Sequence, residues 1–223
     1  MIKTIASVLN KLLLHSRNDW KDIYSGIFLL VRILKEENNT IKITGAKTSK
    51  SIFQITGTGN SIISEAELIE ESQIVINGQN NSLKIAKGVK LRKANIIIRG
   101  SNCHITIGSG TTFGGVRMVN VGTDNLVEIG ENCLFSDQIE IWASDTHSIF
   151  NEDNQKINKE QPVFIGDNVW VGSRVIILKG IEISDGAIIG MGTIVSRNIP
   201  SKTISVGIPN KVIKENVRWT NEY

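Results

Sequence analysis

The fold of this chain is decided by six consecutive hexapeptides in its C-terminal third. They read IGDNVW (165–170), VGSRVI (171–176), ILKGIE (177–182), ISDGAI (183–188), IGMGTI (189–194) and VSRNIP (195–200). Every hexapeptide opens on Ile or Val, and its fifth position holds Val, Val, Ile, Ala, Thr and Ile in turn. Each unit supplies one short strand and one corner, so three units predict a coil of triangular section. Stacked coils bury these two inward positions against the next coil, at the strand spacing of about 4.8 Å.

A longer repeat precedes the hexapeptides and shares their style. GTGNSI (57–62), GQNNSL (78–83), GSNCHI (100–105) and GTDNLV (122–127) begin 21, 22 and 22 residues apart. An earlier copy, EENNTI (36–41), has Glu36 in place of the glycine. Each copy is interpreted as the same coil lengthened by a turn at a GxxN corner. Together the two repeats predict an all-β solenoid of about seven coils between residues 36 and 206.

The composition agrees with this architecture and excludes several others. The 223 residues include 37 Ile but only 13 Leu, and the β-branched Ile favours strands over a helix bundle. The 21 Asn and 20 Gly favour tight polar turns between strands. The net charge of +3 is too small to indicate a nucleic-acid-binding protein. Cys103 and Cys133 lack CxxC spacing, so neither a disulfide framework nor a zinc knuckle is indicated.

The segments outside the repeat follow a different pattern, and we divide the chain into three parts. Residues 1–35 are predicted to form a helical cap, residues 36–206 the solenoid domain, and residues 207–223 a tail with a short helix after Pro209. Two groups of residues have helical spacing in the first part: Leu9, Leu12, Leu13 and Ser16, then Ile23, Ile27, Leu30 and Leu34. A helix lying on a membrane surface is the alternative to a cap.

The N-terminal sequence does not read as a secretory signal. Asn10 and Lys11 interrupt its apolar run, and no cleavage site follows. The next apolar run, residues 23–34, contains Arg32 and is too short to span a bilayer. We therefore expect a soluble, cytoplasmic protein without a membrane span.

One polar segment interrupts the repeat. SIFNEDNQKINKEQ (148–161) has no hexapeptide register and follows directly after His147. A long loop extruded from a regular solenoid is usually functional, which makes His147 the candidate for chemistry among the three histidines. An ordinary loop-flanking histidine is the alternative. His15 and His104 are interpreted as surface residues of the cap and of a repeat corner.

These motifs resemble those of the hexapeptide-repeat acyltransferases. The likeness rests on IGDNVWVGS (165–173), ILKG (177–180) and GIPNKVI (207–213), and on DTHSI (145–149) followed by the extruded loop. Within that family the chain is most similar to bacterial O-acetyltransferases of sugars and surface polysaccharides, including those of capsule sialic acid. The resemblance implies a left-handed parallel β-helix, a homotrimer with active sites between adjacent subunits, acetyl-CoA as donor, a saccharide acceptor and no metal.

The resemblance also implies roles for single residues. His147 matches the general base, Asp145 would orient its imidazole, and Trp170 would wall the site beside the thioester. Trp142 would line the acceptor pocket. Eight residues match positions that contact coenzyme A: Ser173, Gly190, Met191 and Ser196 along the pantetheine arm, and Lys179, Arg197, Lys211 and Lys214 near the phosphates. For each of these the alternative is a structural or solvated surface role, and Met191 is larger than the alanine often found at its position.

Three other functions compete with a saccharide O-acetyltransferase. One is a hexapeptide enzyme that acts on serine, an antibiotic or the amine of a nucleotide sugar, and His147 is compatible with an amine acceptor. A non-catalytic β-helix scaffold would need neither His147 nor its loop. A zinc hydratase of the γ-carbonic-anhydrase type needs three histidine ligands, and His15, His104 and His147 are too far apart in the repeat to form that set.

Overall fold

The computed structural model describes residues 25–29, as backbone, and residues 31–222. The described chain is an all-β solenoid with three faces. Each coil contributes one strand to each face, and the strands of neighbouring coils pair in parallel. Face 1 contains β2 (Arg32–Lys35), β4 (Ile52–Thr58), β7 (Gln73–Gln79), β10 (Ala94–Ser101), β13 (Val116–Thr123), β16 (Ile139–Trp142), β19 (Ile176–Ile177) and β22 (Ile194–Val195). These eight strands are separated by seven steps, which confirms the predicted coil number.

The other two faces share one long strand, β3 (Thr40–Ser49), which turns the corner at Gly45. Face 2 contains the first half of β3, β5 (Ser61–Ser64), β8 (Ser82–Ile85), β11 (His104–Ile107), β14 (Leu126–Ile129), β17 (Val163–Ile165) and β20 (Glu182–Ile183). Face 3 contains β1 (Ser25–Leu29), the second half of β3, β6 (Leu68–Glu70), β9 (Lys90–Arg92), β12 (Thr112–Phe113), β15 (Leu134–Phe135), β18 (Trp170–Val171), β21 (Ile188–Ile189), β23 (Ile204–Val206) and β24 (Lys211–Lys214). We name the corners 1–2, 2–3 and 3–1 after the faces they join.

The hexapeptide register is confirmed by burial. All twelve inward positions are buried: Ile165, Val169, Val171, Val175, Ile177, Ile181, Ile183, Ala187, Ile189, Thr193, Val195 and Ile199. Stacking of equivalent residues also continues into the earlier coils, where the rings of Phe113 and Phe135 stack with centroids 4.6 Å apart. The solenoid core is therefore a set of side-chain columns that run parallel to its axis.

The GxxN corners form a ladder of buried asparagines. The backbone N–H of Asn60 donates to Asn39 Oδ1 at 2.9 Å, and that of Asn81 donates to Asn60 Oδ1 at 2.9 Å. Asn81 Nδ2 in turn donates to Gly100 O at 3.0 Å. In the next coil Cys103 takes the asparagine position, and its N–H donates to Asn81 Oδ1 at 2.9 Å. Each amide thus satisfies backbone groups of two coils that would otherwise be buried without a partner.

Both predicted terminal helices are wrong where the structure describes them. Residues 25–29 and 32–35 are strands, and the group Leu9 to Ser16 lies outside the described residues. After Pro209, residues 211–214 form β24, which pairs antiparallel with β23. Short apolar runs do not distinguish helix from strand, and the open edges of the solenoid offer backbone partners that an isolated short helix lacks.

Residues 25–29 and 31–222 contain no helix that is long and apolar enough to cross a membrane.

Candidate active site

The extruded loop leaves the solenoid at corner 1–2, between β16 and β17. Its two arms pair at Phe150 and Lys156 in an isolated antiparallel bridge, and the N–H of Ile157 donates to Ile149 O at 2.9 Å. At the tip, Asn151 Oδ1 accepts the N–H of Gln155 at 2.9 Å. The segment is therefore a small hydrogen-bonded hairpin, although the apolar side chains of Ile149, Phe150 and Ile157 remain exposed.

His147 is exposed at the base of this hairpin. Its N–H donates to Asp145 O at 2.8 Å, and its carbonyl accepts from Asn158 Nδ2 at 2.8 Å. Thr146 before it has a φ of 63°, in the left-handed region that a β-branched residue rarely adopts. Within the described chain, no side chain hydrogen-bonds to the imidazole of this exposed residue.

Asp145 contacts Lys179 rather than the imidazole. Its Oδ2 accepts from Lys179 Nζ at 2.5 Å and from Asn158 Nδ2 at 2.8 Å. The hydrogen bond from Lys179 is the main cause that holds the pKa of the Asp145 carboxyl below its ordinary value, and Asn158 adds to it against the opposing effect of burial. Lys179 Nζ also donates to Lys159 O at 3.0 Å. The resemblance implied that Asp145 orients the imidazole and that Lys179 contacts a phosphate. In the structure these two side chains are instead bonded to each other.

Trp142 lies on the outside of face 1, five residues before His147. The Arg117 guanidinium carbon is 5.1 Å from the centroid of its ring, and the indole N–H donates to Glu140 Oε2 at 2.7 Å. Arg117 and Glu140 also line a groove of about 430 Å³ at corner 3–1, together with Lys93 and Asp137. Trp142 therefore borders this open groove, because Arg117 and Glu140 contact its ring and also line the groove.

Trp170 lies on face 3, which is opposite corner 1–2 in the triangular section. Its ring is 39% exposed and packs against Trp219 with centroids 6.0 Å apart. The Trp219 indole N–H donates to Asn168 O at 2.6 Å, which fixes the C-terminal tail along this face. Within one chain, Trp170 and His147 are therefore on different sides of the solenoid.

Three of the residues matched to the pantetheine arm lie together at corner 3–1. Ser173 follows β18, and Gly190 and Met191 follow β21 in the next coil. The Ser173 hydroxyl donates to the Asp137 carboxylate, and this hydrogen bond lowers the pKa of Asp137. Gly190 has no room for a side chain, because a Cβ there would lie 2.5 Å from Val206 Cγ1. Met191 is 72% exposed and protrudes from the corner.

Ser196 and Arg197 lie at corner 1–2, on the same edge as His147. Both backbone N–H groups donate to Asn210 Oδ1, at 2.9 and 3.0 Å. Lys211 and Lys214 are exposed on β24, and no ion pair to either is found in the part of the chain that the structure describes. The predicted residues are thus divided between two edges of one chain. Corner 1–2 carries the base, whereas corner 3–1 and face 3 carry the tryptophan and most of the pantetheine positions.

Three residues at the site were missed in the sequence. Asn158 bridges Asp145 and His147, Asn210 holds the segment of Ser196 and Arg197, and Trp219 packs on Trp170. In the sequence, only their positions distinguish them. Asn158 lies in the extruded loop, and Trp219 is an isolated aromatic residue in a polar tail. No repeat register predicts their partners.

No group of three His, Cys, Asp or Glu side chains in residues 31–222 could hold a metal ion. His104 lies on face 2, where its Nδ1 is 2.8 Å from Ser82 Oγ in the neighbouring coil.

Parts of the chain are similar to known transferases. Residues 162–197 match the family described as the hexapeptide repeat of succinyl-transferase. The galactoside O-acetyltransferase of Escherichia coli is 37% identical over 95 residues, which are 41% of this chain and 45% of that protein. The chain thus spans about half the length of the curated relatives it matches.

Two solved structures are similar over most of the chain. The polysialic acid O-acetyltransferase OatWY superposes with a TM-score of 0.77 at 28% identity, over 88% of this chain and 92% of that one. The polySia-specific acetyltransferase NeuO gives a TM-score of 0.68 at 26% identity, over 88% of each chain. The similarity therefore includes the earlier coils, well beyond the hexapeptides.

Proposed function

We propose that the chain is a hexapeptide-repeat acetyltransferase and that it transfers an acetyl group from acetyl-CoA to a hydroxyl group of a saccharide. The similarity over 88% of the chain to two structures named as polysialic acid acetyltransferases carries this proposal. The exposed imidazole of His147 at the mouth of the extruded loop supports it.

His147 acts as the general base. Its imidazole takes the proton of the acceptor hydroxyl as that oxygen attacks the thioester carbonyl. Backbone N–H groups at the coil corners stabilise the tetrahedral oxyanion. Collapse of the intermediate breaks the C–S bond, and the imidazolium returns the proton to the departing thiolate. A base in this position contributes about 10²- to 10⁴-fold in rate.

The active site is completed in a homotrimer of left-handed coils. The division of the matched residues between corner 1–2 and face 3 supports this arrangement, because a single chain holds His147 and Trp170 apart. A neighbouring subunit that presents face 3 to corner 1–2 brings the two residues together. Such heterologous contacts close into a ring when the rotation between subunits is 120°.

The matched residues at corner 3–1 are suited to coenzyme A. Ser173 and Gly190 are small and lie in neighbouring coils of this corner, so an extended pantetheine arm can approach the main chain there and at Met191. Ser196 continues this contact from the neighbouring subunit. Lys211, Lys214 and Arg197 are exposed cations that can meet the nucleotide phosphates. Acetyl-CoA is an intracellular metabolite, which supports a cytoplasmic location.

The groove at corner 3–1 is where the acceptor binds. It extends the line of pantetheine residues toward the earlier coils, because Asp137 in its lining accepts the Ser173 hydroxyl. Lys93 and Arg117 provide cations and Asn95 an amide, which suit the hydroxyl and carboxylate groups of a saccharide. Trp142 borders the groove through its contact with Arg117.

Substitution of the base tests the proposal. Labelled acetyl-CoA is incubated with polysialic acid, neutral oligosaccharides, serine and a nucleotide-sugar amine, and the acetylated product is identified. We expect O-acetylated saccharide, and we expect His147→Ala to lower kcat about 10²- to 10⁴-fold with an unchanged Tm and an unchanged oligomeric state. Acetylation of only serine or an amine would identify another acceptor class. Unchanged turnover of His147→Ala would refute the assignment of the base.

A further inference from the structure

The loop that carries His147 is fastened at its base by three polar side chains, Asp145, Asn158 and Lys179, which we call the clasp. Lys179 comes from the next coil, where it follows β19. Its Nζ donates to Asp145 Oδ2 on the outgoing arm of the loop at 2.5 Å and to Lys159 O on the returning arm at 3.0 Å. A single ammonium group therefore ties both arms of the loop to the solenoid.

Asn158 connects the same arms from the loop side. Its Nδ2 donates to Asp145 Oδ2 and to His147 O, both at 2.8 Å, and its Oδ1 accepts the N–H of Ile149 at 2.7 Å. These three bonds bracket His147, with one before it, one on its own carbonyl and one two residues after it. Asn158 thus fixes the main chain that carries the His147 imidazole.

Charge and burial favour a closed clasp. The Lys179 side chain is only 19% exposed, whereas Asp145 is 40% exposed. A partly buried ammonium needs a charged partner, because water cannot fully solvate it. Asp145 supplies that charge, and the same pairing keeps its carboxyl ionised. By contrast, the ion pair of Lys156 and Glu160 joins two residues of the returning arm and includes none of residues 145–149.

Backbone strain indicates that the closed clasp holds His147 in one conformation. Thr146 keeps a φ of 63°, which costs free energy for a β-branched residue and persists only where the surroundings determine it. The clasp bonds lie on both sides of Thr146. We propose that Lys179 and Asn158 are positioning residues for His147, acting through Asp145 and through the His147 carbonyl. This inference rests on the proposed function of His147 as the base.

The test separates positioning from contact with the donor. Lys179→Met is expected to lower kcat about 10- to 100-fold and to leave the KM for acetyl-CoA unchanged, because misplacement of a catalytic group by about 1 Å costs up to about 10²-fold. Lys179→Arg should recover most of the lost kcat. Lys156→Met, which removes the other ion pair of the loop, is the matched control and should keep kcat within about twofold.

A raised KM for acetyl-CoA at unchanged kcat in Lys179→Met would overturn the proposal, since it would assign the ammonium to a phosphate. Asn158→Ala repeats the test without disturbing the buried cation, and an unchanged kcat there would also refute it.

A second measurement does not depend on turnover. The imidazole proton resonances of His147 are recorded by NMR and assigned with His147→Ala. We expect one sharp set in the unaltered protein and broadened or multiple sets in Lys179→Met and Asn158→Ala, but not in Lys156→Met. Identical His147 resonances in all variants would overturn the clasp. If the unaltered protein transfers no acetyl group but the NMR effect is found, only the proposed function is refuted.

Discussion

The earlier and later coils of the solenoid use the same core but different corners. On face 1, β4, β7, β10 and β13 have 7, 7, 8 and 8 residues, and their corners are closed by the asparagine ladder. On the same face, the later strands β19 and β22 have two residues each. Short strands leave more of each coil as corner, and the corners carry Ser173, Lys179 and Arg197. The longer strands therefore serve stacking, whereas the shorter ones leave backbone and side chains available to ligands.

The two regions meet at the base of the extruded loop. Asn125 is the last asparagine of the ladder, and its Nδ2 donates to Ala143 O at 2.9 Å. In the coils before it, the equivalent amide donates to a glycine carbonyl of the next repeat. The last asparagine thus contacts Ala143, four residues before His147.

The largest expected effect on the earlier coils comes from adding a side chain to Gly78, the first glycine of a GxxN copy, which packs against Gly100 of the next coil. Gly78→Ala places a Cβ 2.0 Å from Gly100 O at a φ of 120°, so we expect a loss of about 4 kcal/mol in the free energy of unfolding. Urea denaturation at fixed protein concentration measures it. Gly45→Ala is the matched control, because its φ is 76° but nothing lies within 4 Å of the added atom. The control should lose only about 1 kcal/mol. Equal losses would show that steric contact between coils is unimportant.

Breaking the ladder should have a smaller effect. Asn81→Ala leaves the buried N–H of Cys103 and the carbonyl of Gly100 without their side-chain partner, so a loss of about 3 kcal/mol is expected. The exposed Gln79 of the same coil is the control, and Gln79→Ala should stay within about 0.5 kcal/mol. The same denaturation experiment compares them. A loss below about 1 kcal/mol for Asn81→Ala would mean that water replaces the amide.

The smallest expected effect concerns the later coils. Lys211→Ala should raise the KM for acetyl-CoA about fivefold without changing stability, since an exposed cation that meets a phosphate contributes about 1 kcal/mol. The KM for S-acetylpantetheine, which lacks the nucleotide, should not change. Steady-state kinetics with both donors measures the difference. An equal rise for both donors would contradict a phosphate contact.

Much of the fold was predictable because the repeat is local and periodic. The hexapeptide register correctly predicts the buried positions, and the run of Ile96, Ile97 and Ile98 behaves as alternation requires, with the first and third buried and the second only half-buried. The terminal segments were not predictable, since β1 and β24 are strands only because a solenoid edge is available to pair with them.

Less of the candidate site was predictable. The positions of His147, Trp170 and Ser173 follow from motif spacing, but their partners do not. Asp145 and Lys179 are 34 residues apart, and they meet only because the chain reaches corner 1–2 again one coil later, where Lys179 follows β19. The path of an extruded loop depends on its own hydrogen bonds, and the repeat pattern does not predict them.

The amino-acid sequence alone determined the solenoid, its number of coils and the point at which the loop leaves it, because inward-facing aliphatic residues at a fixed period can be buried in only one stacking arrangement. The tertiary structure alone decided which edges carry the predicted residues, and that Lys179 faces Asp145. Those relations depend on contacts between consecutive coils, where residues distant in sequence meet across a single strand spacing.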